Sequence, residues 1–407
     1  MGRRKLLIDS KAYEALKNTC QIMNVSVESF VEMLGRQCHL PPDESGLISY
    51  RQSLNETPAS WFHLRQNMTK ILNGKSVKFL RDKARSMPSN RPALIICNGP
   101  SLTDEKIEMI KHSDFQHRGG IIFCVDSAAK RCLNGGLYPT FVVHVDNHIY
   151  AKEFYKGVMT SELNKRLCYI VPTDMHPEVL EDIRGEIFWY NIAVPDFPNM
   201  NKNAYLQFMF PELPLMDTGG NVGTFAIILA NYLKCNPVGM IGFDLSWREE
   251  VRPEETENFY LDVIDSGGHP IFDDNGLVVD INWPCGTANC PNDLVFTGDC
   301  DFPKTGKKED LLCRDELYNQ YVVVKDQFGN NRLIEKIYDL YIQILEQRML
   351  MLHEKYPEFE VYNFSEEGLA YVKFMKQCPL MEFFETESTR PRDMVHHEMT
   401  GDDELYG

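Results

Sequence analysis

Between residues 91 and 245 the chain repeats one pattern: a short apolar run, then a longer stretch with helical spacing. The runs are ALIIC (93–97), GIIFCVD (120–126), TFVVHVD (140–146), LCYIVPT (167–173), EIFWYN (186–191) and VGMIGFD (238–244). Their apolar residues are consecutive rather than alternate, so each run predicts a strand buried on both faces. DEKIEMIKHS and VGTFAIILANYLK supply the intervening helices. Few other arrangements let so many two-sided apolar strands coexist with helices in one domain.

The predicted fold class is therefore α/β: a Rossmann-like, mostly parallel sheet core with helical additions and an irregular, Cys-containing insertion. Around the core at 91–245 the chain divides further. Residues 1–45 read as a small strand-helix-helix module resembling a ribbon-helix-helix unit, through which the chain would form a homodimer; two helices packed on the main domain is the other reading. Residues 46–90 form a helical lead-in. Residues 246–320, rich in Gly, Pro, Asp and Cys, break the rhythm as an insertion. Residues 321–384 return to it as the C-terminal part of the core, with a long helix over 332–355, and 385–407 are polar, acidic and expected to be disordered.

Charge narrows the partners. With 42 basic against 59 acidic residues the formal charge is −17, which argues against nucleic acid as a partner. No window approaches the roughly 20 apolar residues of a bilayer span, so no membrane partner is expected. Several of the 12 cysteines lie in apolar runs, where a free thiol behaves as a small hydrophobe. A reduced, cytoplasmic protein is the expectation. Cys285, Cys290, Cys300 and Cys313 lie in the insertion without the spacing of an ordinary zinc site.

In an open α/β sheet, ligands sit beyond the carboxyl ends of the strands, and four unusual turns share that address. Cys97-Asn98-Gly99-Pro100-Ser101-Leu102 follows the first run; its glycine allows close backbone approach, and Ser101 can cap the next helix. Asp126 and Asp146 end two successive runs, where carboxylates serve as helix caps, ribose acceptors or metal ligands. Asp217-Thr218-Gly219-Gly220-Asn221-Val222-Gly223-Thr224 opens an apolar helix and makes a second anion cradle. Asp244 ends the last run. His144 and His148 flank Asp146 and are candidate bases, although His144, inside a strand, reads equally as a core residue.

CNGPSL, VDSAAKRCLNGGLYPTFVVHVD and TGGNVGTFAIILANYLKCNPVGMIGFDL occur in that order. Together they resemble the superfamily of MptE-like 6-hydroxymethylpterin diphosphokinases and Maf motility-associated glycosyltransferases. NGPSL is also similar to bacterial sialyltransferases that use CMP-sialic acid. KDQFGN and VYNFSEEGLAYV look like the Maf-side continuation. The resemblance implies a transferase that takes a nucleotide co-substrate. Asn98, Gly99, Ser101, Asp126, Thr218, Gly219, Gly220 and Asn221 would bind the nucleotide. Asp244, Asp146 and His144 would be catalytic, and Asp146 and Asp244 would hold Mg²⁺. The leading expectation is a Maf-like glycosyltransferase moving a sugar from a CMP-activated donor to a glycan or protein hydroxyl. The alternatives are an ATP- and Mg²⁺-dependent diphosphokinase acting on a hydroxymethylpterin, and a degenerate nucleotide-binding scaffold. The sequence departs from the family where its G-x-GPSL has Cys97 for the first glycine, a change expected to narrow the approach to the nucleotide.

Overall fold

The computed structural model describes residues 47–86, 91–147, 149–155, 164–193, 202–256, 269–272, 278–282 and 320–388. The 1–45 module, His148, the four insertion cysteines and residues 389–407 lie outside them.

Two helices lead in, α1 (Leu47–Leu72) and α2 (Val77–Ser86), separated by the two-residue strand β1 (Lys75–Ser76). The core follows as β2 (Arg91–Ile96), α3 (Asp104–His112), β3 (Ile121–Val125), α4 (Asp126–Asn134), β4 (Phe141–Val143), β5 (Cys168–Pro172), α5 (Pro177–Asp182), β6 (Glu186–Ile192), α6 (Lys202–Met209), β7 (Leu215–Met216), α7 (Val222–Tyr232) and β8 (Cys235–Ile241). All six apolar runs are strands. Residues 93–96, 121–125, 141–143 and 168–171 are buried without a break, as a sheet covered on both faces requires.

Beyond β8 come β9 (Trp247–Arg248), β10 (His269–Phe272), β11 (Val278–Asn282), β12 (Tyr321–Lys325), β13 (Asn331–Glu335), α8 (Ile337–Lys355), β14 (Val361–Asn363), β15 (Met375–Gln377) and α9 (Leu380–Ser388). The central sheet runs β1-β6-β5-β4-β3-β2-β8-β14-β15, with β7 paired to β6, and all of its pairings are parallel. Chain order reverses beside β2: β3 to β6 extend on one side, and β8 and β14 lie on the other. Right-handed crossovers therefore put α3 and α4 on one face of the sheet and α7 on the opposite face.

The C-terminal region differs from expectation in three places. VVVKD belongs to no core strand; β12 pairs antiparallel with β13, and β13 with β9, in a separate three-stranded sheet. RLIE is that sheet's middle strand, so the long helix begins at Ile337 rather than 332. Glu385 to Ser388, expected in the disordered tail, continue α9. No helix among the described residues is long and apolar enough to cross a membrane.

Candidate functional site

Because the strands are parallel, all their carboxyl ends meet one edge. That edge carries a row of buried polar residues: Asp126, His144, Thr173, Asp174, Asn191, Thr224, Asp244, Ser246, Asn363 and Ser365. Such residues are seldom fully buried unless hydrogen-bonded. Several atoms in the row make no hydrogen bond among the described residues: Asp174 Oδ1, Asn191 Nδ2, Thr224 Oγ1, Asp244 Oδ1 and Ser246 Oγ, with Asn221 Nδ2 beside them.

The NGPSL turn is joined to the turn after β8. Gly99 N–H donates to Gly242 O at 2.8 Å, and Ser101 N–H donates to Asp244 Oδ2 at 2.7 Å. Ser101 Oγ lies 2.8 Å from Ser365 Oγ and accepts from Gly242 N–H at 3.1 Å. A Cβ on Gly99 would lie 2.5 Å from both Gly242 O and Asp244 Oδ2, which is why the position is glycine. The NFSEEG segment closes over this turn, with Leu369 N–H on Asp244 O at 2.7 Å. Asp244 is thus a latch between three loops, 1% exposed. Burial pushes its carboxyl above the usual range, against the opposing pull of the Ser101 and Ser365 donors. Outside the latch, Glu367 receives Arg248 at 2.9 Å and also pairs with Arg332, whose Nε donates to Asp326 at 2.8 Å. Burial works to raise Glu367, but the two guanidiniums outweigh it and hold its carboxyl low.

Asp126 is the first residue of α4 and accepts Ser127 N–H on Oδ1 at 2.8 Å. Its Oδ2 lies 3.3 Å from His144 Nδ1. His144 is completely buried, and its carbonyl accepts the Tyr190 hydroxyl at 2.6 Å. A base must reach its acceptor's proton, so the expectation for His144 is corrected: it faces Asp126 from inside the sheet. Asp146, two residues further along, is exposed.

On the α7 face, Gly219 and Gly220 take positive φ of 61° and 81°, a conformation that favours glycine. Asp217 Oδ1 accepts Gly219 N–H at 2.9 Å, and Asn221 Oδ1 caps α7 through Thr224 N–H at 2.9 Å. Thr218 is half-buried and Gly220 exposed. Tyr341 and Ile344 of α8 stand next to Gly220, and Arg348 pairs with Asp217.

The opposite face holds a cleft of about 640 Å³, lined by Asn98, Ser127, Lys130, Arg131, Phe154, Asp104 and Glu108 among others. That is within the size range of small-molecule sites. Cys97 is not in its wall. A Cβ on Gly223 would sit 3.3 Å from Cys97 Sγ, so the thiol points to α7, while Asn98, the next residue, lines the cleft. The expected narrowing by Cys97 is corrected accordingly.

Of the expected site residues, the structure gathers Gly99, Ser101 and Asp244 in the latch, and Asp126 and His144 in a second buried pair. Thr218 to Asn221 sit at the start of α7, and Asn98 is in the cleft. Asp146 and Asp244 do not fit one metal ion. They follow β4 and β8, strands three spacings or about 14 Å apart in the sheet, whereas Mg²⁺ binds oxygen at about 2.1 Å. Among the described residues no three His, Cys, Asp or Glu side chains gather at a common metal position. Sequence reasoning missed Lys130, Phe154, Ser365 and Glu367, although Lys130 lies in the VDSAAKRC segment and Ser365 and Glu367 lie in NFSEEG.

Residues 62–250 match the family described as 6-hydroxymethylpterin diphosphokinase MptE-like. This segment is similar to an MptE-like domain. It contains the whole core from β2 to β8, all four turns and the cleft. The chain is also similar to a solved structure, the Maf glycosyltransferase from Magnetospirillum magneticum AMB-1, at 15% identity and a TM-score of 0.45, over 81% of this chain and 41% of that one. The chain thus spans about two fifths of that protein's length. No curated protein matches the sequence.

Proposed function

We propose that the protein is a nucleotide-dependent transferase of the Maf-like kind, passing a sugar from a CMP-activated donor to a hydroxyl acceptor. The observation that carries this reading is the cleft between α3 and α4, which reaches the carboxyl edge of the parallel sheet at Asn98 and Ser127 and runs along α4 to Gly135, inside the segment that matches the MptE-like family. The nucleotide lies in that cleft with its phosphate toward Ser127 and Lys130. The acceptor approaches the exposed end of β4. Asp146 takes the acceptor's hydroxyl proton, the hydroxyl oxygen bonds to the anomeric carbon, and the bond from that carbon to the phosphate oxygen breaks. The nucleotide leaves as its monophosphate. Donors beside the phosphate stabilise the departing charge. Asp244 and Asp126 act as positioning residues, fixing the NGPSL turn and the start of α4.

The family's own description favours a second reading, ATP-dependent pyrophosphoryl transfer to a hydroxymethylpterin. The separation of Asp146 from Asp244 weighs against it, because that chemistry draws carboxylates around magnesium-bridged phosphates. The degenerate scaffold loses its main support, since Cys97 leaves the cleft open.

The test is CMP release from a CMP-activated nonulosonic acid in the presence of glycan acceptors. Asp146→Asn should lower kcat by about 10²–10⁴-fold, the usual contribution of a general base, with little change in donor KM. Unchanged kcat would remove Asp146 from the chemistry.

A further inference from the structure

The cleft's charges are not equivalent. Arg131 is committed to Asp104, with Nη2 to Oδ1 at 3.0 Å. Glu108 is committed to Lys111 on the neighbouring turn of α3. Lys130, from α4, is exposed and makes no ion pair among the described residues. Once the paired charges are set aside, the wall keeps one positive charge in a chain whose formal charge is −17. Two neutral hydrogen-bonding side chains line the same cleft, Ser127 in the first turn of α4 and Asn98 in the NGPSL turn.

We propose that Lys130 anchors one phosphate group in this cleft, with Ser127 and Asn98 as its neutral donors. The assignment rests on the nucleotide reading of the same edge, and it names the residue that fixes the phosphate's position. Lys130 is exposed whereas Asp126, one turn earlier on α4, is buried against His144, so replacing Lys130 leaves that pair in place. Alanine is also the best helix former.

The experiment titrates the full chain with inorganic phosphate, CMP and ATP without magnesium, reading affinity by calorimetry, in the wild type, Lys130→Ala and Lys130→Arg. Lys355→Ala, at the far end of α8, is the control. A charge-assisted hydrogen bond is worth enough that Lys130→Ala should bind CMP about ten- to a hundredfold more weakly. Lys130→Arg should recover most of that loss, and Lys355→Ala should match the wild type. Raising salt should weaken the wild type more than Lys130→Ala, a response that a purely structural role would not produce. CMP binding that Lys130→Ala leaves unchanged would overturn the assignment while leaving the nucleotide reading standing. ATP bound more tightly than CMP, with that advantage kept in Lys130→Ala, would overturn Lys130 as the phosphate anchor. Phosphate binding lost in Lys130→Ala, with no nucleotide bound by the wild type, would keep the anion subsite and overturn the nucleotide reading. Silence toward all three ligands would overturn both.

Discussion

Replacing Asp244 separates a latch from a ligand-binding acid. Its Oδ2 accepts the Ser101 amide at 2.7 Å in a site 1% exposed. Asp244→Ala leaves that amide buried without an acceptor, which costs about 1–3 kcal/mol. At about 2–4 °C per kcal/mol for a domain of this size, Tm should fall by roughly 2–12 °C. Asp244→Asn keeps an oxygen for the amide and removes the charge, so it isolates the electrostatic part. The folded carboxyl lies above its unfolded value because burial disfavours the anion, despite the Ser101 and Ser365 donors. The native state therefore holds the proton more tightly than the unfolded chain. As pH rises from about 4, the unfolded aspartate value, through the raised folded value, wild-type stability falls, and above that window it stays lowered. Asparagine carries no such penalty. Relative to the wild type, Asp244→Asn should thus gain stability as pH rises through this window, and the two should converge toward lower pH. Urea melts followed by circular dichroism between pH 4 and 8 read this difference directly. If Asp244→Asn instead loses ground as pH rises, the carboxylate is held low by a cation, and the latch account is wrong.

Gly99→Ala should destabilise the chain by about 1–3 kcal/mol through overpacking, because its Cβ meets the Gly242 carbonyl and the latched Asp244, neither free to move away; thermal melts check this, and a wild-type Tm would mean the two turns separate easily. Among the described cysteines, Cys378 should be alkylated first under native conditions. It is half-buried with its thiol pushed up by burial to about 11, whereas Cys235 is fully buried and pushed up to about 12. Mass spectrometry of peptides after a timed iodoacetamide pulse gives the order, and earlier labelling at Cys97 or Cys235 would show that the core opens.

The six core strands were legible because a run apolar on both faces has few alternatives to a parallel sheet. Three valines at 322–324 looked the same, yet Val323 is 54% exposed in a one-sided antiparallel strand. A short apolar run does not reveal whether its second face is covered. RLIE kept helical spacing and still became a strand, because the Asp326 turn, accepting Phe328 N–H and Asn330 N–H, folds it back onto β12. The turns at Asn98, Asp126, Asp146, Gly219 and Asp244 were legible as strand-end loops. What they face was not. Burial of His144, closure of Asp244 by the NFSEEG segment, and the pairing that leaves Lys130 uncommitted all depend on residues distant in sequence.

The central claim is that this edge binds a nucleotide carrying a single phosphate group. The most direct measurement is a thermal-shift panel of CMP, CDP, UDP, GDP, AMP and ATP, each with and without magnesium. A ligand at about 100 times its dissociation constant adds roughly 2.7 kcal/mol to the native state, enough to resolve. The account predicts that CMP stabilises the chain and that magnesium makes no difference. A shift seen only with ATP and magnesium, or no shift at all, would contradict it.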